Sequence, residues 1–206
     1  MLLEKTVKEY TDELASNSPT PGGGGTAALV GALGVALGDM VAELTVGKPK
    51  YAKVEEDVRA LRDEALALKD ELLALIDKDA EGFEPLAKAY GIPKDDPNRD
   101  SIMEEALNLA CEAPLEIMRA CCRAIDIIKE LGEKGSRLAV SDAGCGAVLC
   151  SAALQAASLN VYINTKAMKD RDKADEMNKQ VDAMLDEYVE LAEDVFSEVS
   201  DGLRGL

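Results

Sequence analysis

The chain has 206 residues, with 40 acidic against 23 basic side chains, a formal net charge of −17, and neither histidine nor tryptophan. Nucleic-acid phosphates and anionic bilayers both recruit basic surfaces, so this balance argues against nucleic acid or a membrane as a partner. Apolar residues make up 47% of the chain and aromatics 3%, a mix that favours helix, and the length suits one domain (residues 1–206) with a sizeable core.

The N-terminal stretch MLLEKTVKEYTDELA is charged from its fourth residue and lacks the basic start and apolar run of a signal peptide. Leu2 to Ala15 reads as a first helix. Five cysteines (Cys111, Cys121, Cys122, Cys145, Cys150) form no C-x-x-C pair, which fits free thiols in a reducing cytoplasm. Ser16 to Gly25, SNSPTPGGGG, reads as a loop. The PGGGGT run ahead of a helix suits an anion, through free backbone N–H groups and the positive end of the dipole; a tight loop that lets helices approach is the alternative. It is neither a Walker A loop, having no following G-K-[ST], nor a dinucleotide fingerprint, having no preceding strand.

Thr26 to Val46 is a second helix, surfaced with Ala28, Gly31, Ala32, Val35 and Ala36. Its apolar part, Ala27 to Leu44, contains Asp39 and Glu43 and reads as a packed core helix rather than a membrane span. Gly47-Lys48-Pro49-Lys50-Tyr51 breaks it. Lys48 and Lys50 make a local cation patch, either a solvated corner or a clamp for a carboxylate.

Lys53 to Tyr90 reads as a long helix, with a bend expected near Gly82 and Pro85. Val54, Val58, Leu61, Ala65, Leu68, Leu72, Leu75, Asp79, Phe83, Leu86 and Tyr90 trace one face of it. Asp79 is a carboxylate in an apolar seam. Withdrawal from water raises its pKa, and without histidine a carboxylate of this kind is the available proton shuttle. The structural alternative is a carboxylate at the core's edge, leaning out to water.

A loop at Gly91 to Arg99 leads to a fourth helix, Asp100 to Leu131, with a kink or break expected at Pro114; Gly132 to Val140 is a further loop. Ser141-Asp142 reads as the N-terminal cap of a fifth helix that ends near Asn164 to Met168. Asp142, Gly146, Leu149, Ala153, Ala156, Asn160 and Asn164 share a smooth face of this helix. Asp142 and Asn160 stand about 27 Å apart at 1.5 Å per residue. They cannot meet one reacting centre within a subunit, but they can serve an elongated ligand or two sites shared across a symmetric dimer. Capping by Asp142, with Asn160 and Asn164 satisfying backbone, is the alternative. Asp170 to Val199 is a last, charged helix. The fold expected is an all-α bundle of about six helices.

Metal chemistry finds no support. A di-iron bundle needs Glu-x-x-His pairs, structural zinc needs clustered thiols or imidazoles, and a cysteine nucleophile lacks its histidine base. Cys121, Cys122 and Cys145 read as core packing.

The ordered set PGGGGTAALVGALGVALGDMVAELT, VGKPKY, LIDKDAEGF, SDAGCGAVLCSAAL and NVYIN resembles the cyclodeaminase family: the cyclodeaminase domain of formiminotransferase-cyclodeaminase and the free-standing methenyltetrahydrofolate cyclohydrolases. The resemblance runs from about Leu14 to Thr165. It implies a homodimeric enzyme acting on one-carbon-loaded tetrahydrofolate, with a folate derivative as substrate and no metal, and with a formiminotransferase as a possible partner. In the family, the D-x-D-A-x-x-F segment carries a catalytic aspartate, and the matching residue here is Asp79. The reaction expected first is formimidoyltetrahydrofolate cyclodeaminase, with methenyltetrahydrofolate cyclohydrolase as the alternative on the same site. Lys48 and Lys50 are expected on a (poly)glutamate tail, Gly23 and Gly24 as backbone donors, and Ser141, Asp142 and Asn160 on the pterin or lining the cleft. A non-catalytic, self-associating helical scaffold is the reading from outside enzymology.

Overall fold

The most buried helix begins on three glycines, and the rest of the architecture follows from what packs on it. The computed structural model describes residues 1–205, so Leu206, the end of the expected domain, lies outside the described residues. Six α-helices are joined by short turns: α1 (Val7–Leu14), α2 (Gly23–Glu43), α3 (Glu55–Tyr90), α4 (Arg99–Lys134), α5 (Val140–Ala167) and α6 (Arg171–Arg204). Among the described residues there is no strand, so the all-α expectation holds.

Helix α2 is central and touches α3, α4 and α5. It crosses α5 in near backbone contact. A β-carbon on Gly34 would stand 2.5 Å from the Cys150 sulfur and 2.9 Å from the Gly146 carbonyl oxygen, and one on Gly146 would stand 2.8 Å from the Gly34 carbonyl oxygen. Glycine is therefore required at both positions by the approach itself. Around this crossing, Leu68, Leu72 and Ile76 of α3, Ile117, Ile125 and Ile128 of α4, and Leu154 of α5 fill the core. By length and composition alone, α2 and residues 137–167 are apolar enough to cross a membrane. Their apolarity goes into this packing: half or so of each stretch is buried against the other helices.

Several boundaries differ from the sequence expectation. Leu2–Glu4 forms a separate 3-10 turn, because Thr6 starts α1 with a complete capping box: Glu9 N–H donates to the Thr6 side chain, and Thr6 N–H donates to the Glu9 carboxylate at 2.8 Å. Helix α2 begins at Gly23, not Thr26, so the glycines form its first turn rather than a loop. Helix α4 runs through Pro114 unbroken. Proline removes the N–H that the Ala110 carbonyl would have accepted, and Asn164 of α5 replaces it, its side-chain amide donating to Ala110 O at 3.2 Å. That is the backbone-satisfying role allowed for Asn164. Helix α5 starts at Val140 with Ala139 at the cap position, so Ser141 and Asp142 lie inside the first turn and cap nothing. The last helix does have its cap, Asp170, which accepts from Lys173 N–H.

Candidate active site

Asp79 projects from the third helix onto the first turn of α2. Gly22, at the cap position of α2, has no side chain to accept the free N–H groups of that turn. The Asp79 Oδ2 atom takes this role from outside, accepting the Gly25 N–H at 2.8 Å. The fit leaves no room for a side chain between them: a β-carbon on Gly24 would stand 2.1 Å from Asp79 Oδ1. Glycine is a poor helix former, and at Gly24 the approach of the carboxylate requires it.

Two opposed influences set the protonation of Asp79. The group is half-buried, and burial pushes its pKa above the usual carboxylate value, while the Gly25 N–H pulls it back. No charged side chain contributes. Asp77, two residues earlier and so on another side of α3, is engaged elsewhere: it accepts the Leu2 N–H at 2.6 Å and ties the N-terminal turn to α3. Lys78 points outward and pairs with Glu116 of α4 at 2.7 Å.

Asn160 of α5 joins this end of the molecule. Its side-chain amide donates to Ala156 O at 2.9 Å, and the side chain faces Gly23. Asp79, Gly23, Gly24 and Asn160 thus come together. Sequence reasoning missed two neighbours. Gly25, rather than Gly23 or Gly24, supplies the amide that Asp79 uses. Tyr10 of α1 is 5% exposed, and its hydroxyl lies 3.4 Å from the Thr26 hydroxyl. The seven-residue spacing of Leu3, Tyr10 and Asn17 gives no hint of it; only the proximity of α1 to the glycine turn does.

The other expected site residues form a second cluster at the far end. Lys48 and Lys50 are exposed in the turn after α2, and Lys50 Nζ lies 5.4 Å above the Tyr51 ring. This turn is pinned to the start of α5: Tyr51 OH accepts the Arg137 N–H at 3.1 Å, and Thr45 Oγ1 accepts the Ser136 N–H at 2.8 Å. Ser141 and Asp142 follow at once. The whole of α2 separates Lys48 and Lys50 from Gly23 and Gly24, roughly 35 Å at 1.5 Å per residue. One chain therefore does not bring the two lysines and Asp79 onto one small ligand.

The cavities are also elsewhere. One of about 510 Å³ is apolar and lies between α5 and α6, lined in part by Ser141, Cys145, Val148, Phe196 and Leu203. Another of the same size lies between Glu71, Arg119, Arg123 and Tyr188. Neither touches Asp79. Cys145, expected in the core, is exposed, because its position on α5 turns it away from α2. Cys121, Cys122 and Cys150 are buried as thiols, with burial pushing Cys122 and Cys150 up to about 12.

Comparison with known proteins places this arrangement in context. Residues 6–183 match the family described as formiminotransferase-cyclodeaminase. A methenyltetrahydrofolate cyclohydrolase from Methylorubrum extorquens is 39% identical over 95% of this chain and 96% of its own length. A formimidoyltransferase-cyclodeaminase from Rattus norvegicus is 29% identical over 90% of this chain; the match spans about a third (35%) of that longer protein. The crystal structure of a formiminotetrahydrofolate cyclodeaminase from Thermotoga maritima superposes with a TM-score of 0.84 at 30% identity, covering 100% of this chain and 98% of that one. A family match over most of the chain, an end-to-end relative and a shared helical architecture agree: the chain belongs to the formiminotransferase-cyclodeaminase family.

Proposed function

We propose that this protein is a folate one-carbon enzyme that hydrates 5,10-methenyltetrahydrofolate to 10-formyltetrahydrofolate, with Asp79 as its acid–base group. The observation that carries the chemistry is the environment of Asp79: half-buried, with a raised pKa, touched by a single backbone donor and by no cation. Such a carboxylate exchanges a proton near neutral pH more readily than a solvated or salt-bridged one. The choice of hydration over deamination rests on the end-to-end likeness to the Methylorubrum cyclohydrolase, and it reverses the order expected from sequence.

In this reading, water adds to the methenyl carbon of the cyclic cation as Asp79 takes one of its protons. The tetrahedral carbon then releases N5, which receives that proton from Asp79. The hydroxyl becomes the formyl carbonyl, and its proton goes to solvent. Deamination uses the same site, and the likeness to the Thermotoga cyclodeaminase keeps it as the second reading. There, N10 attacks the carbon of the protonated formimino group, Asp79 takes the N10 proton and delivers it to the NH2 of the tetrahedral carbon, and ammonia leaves as the cyclic cation forms, so that the positive charge of the formimino group passes to the ring.

The two clusters of expected site residues belong to one site only if a second copy joins them. We infer a homodimer in which Lys48 and Lys50 of one subunit hold the carboxylate tail of folate bound at the other subunit's Asp79, with Gly23, Gly24 and Asn160 beside the pterin and Ser141 and Asp142 at the tail. The exposed Leu33, Met40, Leu159 and Ile163 supply apolar surface for such an interface.

The decisive experiment is Asp79→Asn. Loss of methenyltetrahydrofolate absorbance in the near ultraviolet should slow about 100-fold or more, the usual contribution of a positioned acid–base group, while folate binding by calorimetry persists. Unchanged turnover removes Asp79 from the mechanism. Absence of turnover in the unmodified protein with both folates removes the functional reading and leaves the self-associating scaffold.

A further inference from the structure

The hydroxyl of Tyr10 is a buried polar group that the proposed chemistry leaves unused. Thr26 Oγ1 donates its single proton to the Gly22 carbonyl at 2.7 Å. In the 3.4 Å contact between the two hydroxyls, Tyr10 is therefore the donor. A short relay results, from the Tyr10 O–H to Thr26 Oγ1 and from the Thr26 O–H to Gly22 O. It closes the Gly22–Thr26 turn, whose Gly25 N–H is bonded to Asp79. Tyr10 also stands against the same point as the carboxylate: a β-carbon on Gly25 would lie 3.6 Å from the Tyr10 hydroxyl oxygen and 3.7 Å from Asp79 Oδ2.

We propose that Tyr10 is a positioning residue, whose hydroxyl, acting through Thr26, holds the first turn of α2 so that the Gly25 amide stays aimed at Asp79. The inference rests on Asp79 being the proton-transfer group for its relevance to turnover, but not for its geometry. The groups that face Asp79 are few. Helix α1 brings the Tyr10 phenol, α2 brings backbone amides and Thr26, and α5 brings the neutral Asn160. Along α3 and α4, Asp77, Lys78 and Glu116 are held in the bonds already described. Burial pushes the Tyr10 phenol up, the Thr26 contact offsets part of this and the ionised Asp79 adds to it; the net direction is upward, so the phenol stays protonated and available as a donor.

The sign of the effect is fixed by the charged form that the amide favours. A looser turn weakens the Gly25 N–H bond to the carboxylate, and the pKa of Asp79 rises further. In Tyr10→Phe, which keeps the ring in its packing, the carbon-13 carboxyl titration of Asp79, assigned by its absence in Asp79→Asn, should move up by about half a pH unit, a roughly threefold change in its ionisation constant. The acidic limb of the turnover profile should move by the same amount. Thr26→Val should reproduce the shift, Thr26→Ser should restore the original value, and Tyr10→Phe with Thr26→Val should equal either single change, because both break one relay. An Asp79 titration that stays in place in both Tyr10→Phe and Thr26→Val overturns the proposal. A titration that moves in a protein without folate turnover upholds it and overturns the proposed function instead, so the two failures are distinct.

Discussion

The side chain of Asp79 is held where its charged form is disfavoured by burial and only partly restored by one amide. The folded-state pKa is raised, so between the unfolded and folded values the folded protein holds more protons than the unfolded chain. Stability falls as pH rises through that window, and the cost is complete above the folded pKa. Asp79→Asn keeps an oxygen for the Gly25 N–H and removes the titration. The variant should therefore melt at a higher temperature than the parent at neutral pH, with the difference shrinking as pH falls through the folded carboxylate value and gone below the unfolded one; a scanning-calorimetry series across pH checks it. A gain in stability paired with a loss of turnover is the pattern expected of a functional group placed against its own interest. A merely structural cap would lose stability on the same change.

Among the helices, the unbroken passage of α4 through Pro114 depends on a single side chain of α5. Asn164→Ala removes the donor to the Ala110 carbonyl and leaves that oxygen buried beside proline. The expected loss is about 1–3 kcal/mol, the cost of an orphaned buried acceptor, measured by urea unfolding; no change in the midpoint would mean the carbonyl finds another donor. The same residues show how far the sequence could be read. Helical periodicity along α3 located Asp79 as the one acid in an apolar seam, and the order of the six helices followed from glycine and proline punctuation. Punctuation failed where tertiary contact overrides local propensity. Glycines 23–25 read as loop, yet they form the first turn of α2, where Asp79 accepts the Gly25 N–H and leaves no room for a side chain at Gly24. Pro114 read as a break, yet Asn164, 50 residues later, repairs it. Ser141 and Asp142, expected as a cap, fall two and three residues past the cap position and lie inside the first turn. Tyr10 carried no signal, since a tyrosine in a short amphipathic helix reads as packing.

For the whole molecule, the separation of the two clusters along α2 is the controlling feature. If two subunits pair so that each lends its Lys48–Lys50 turn to the other's Asp79, every site draws on both chains. Mixed dimers then have a defined outcome. Asp79→Asn and Lys48→Ala/Lys50→Ala subunits, each weak alone on a polyglutamylated folate, should on mixing form heterodimers with one site of entirely native residues and regain a fraction of parental turnover. Lack of recovery, with mixed dimers shown by mass spectrometry, counts against the shared site. Sedimentation of the unmodified protein as a monomer at assay concentration removes it altogether.

The amide of Gly25 has one more consequence. It sits within the backbone yet is bonded to the one group whose charge alternates in the proposed cycle. Its nuclear resonance thus becomes a built-in gauge of that charge, following the aspartate through titration, ligand occupancy and steady state without a label on the substrate. The opening turn of the central rod should breathe in step with each proton exchanged, tightening when the acid is bare and slackening when it is filled.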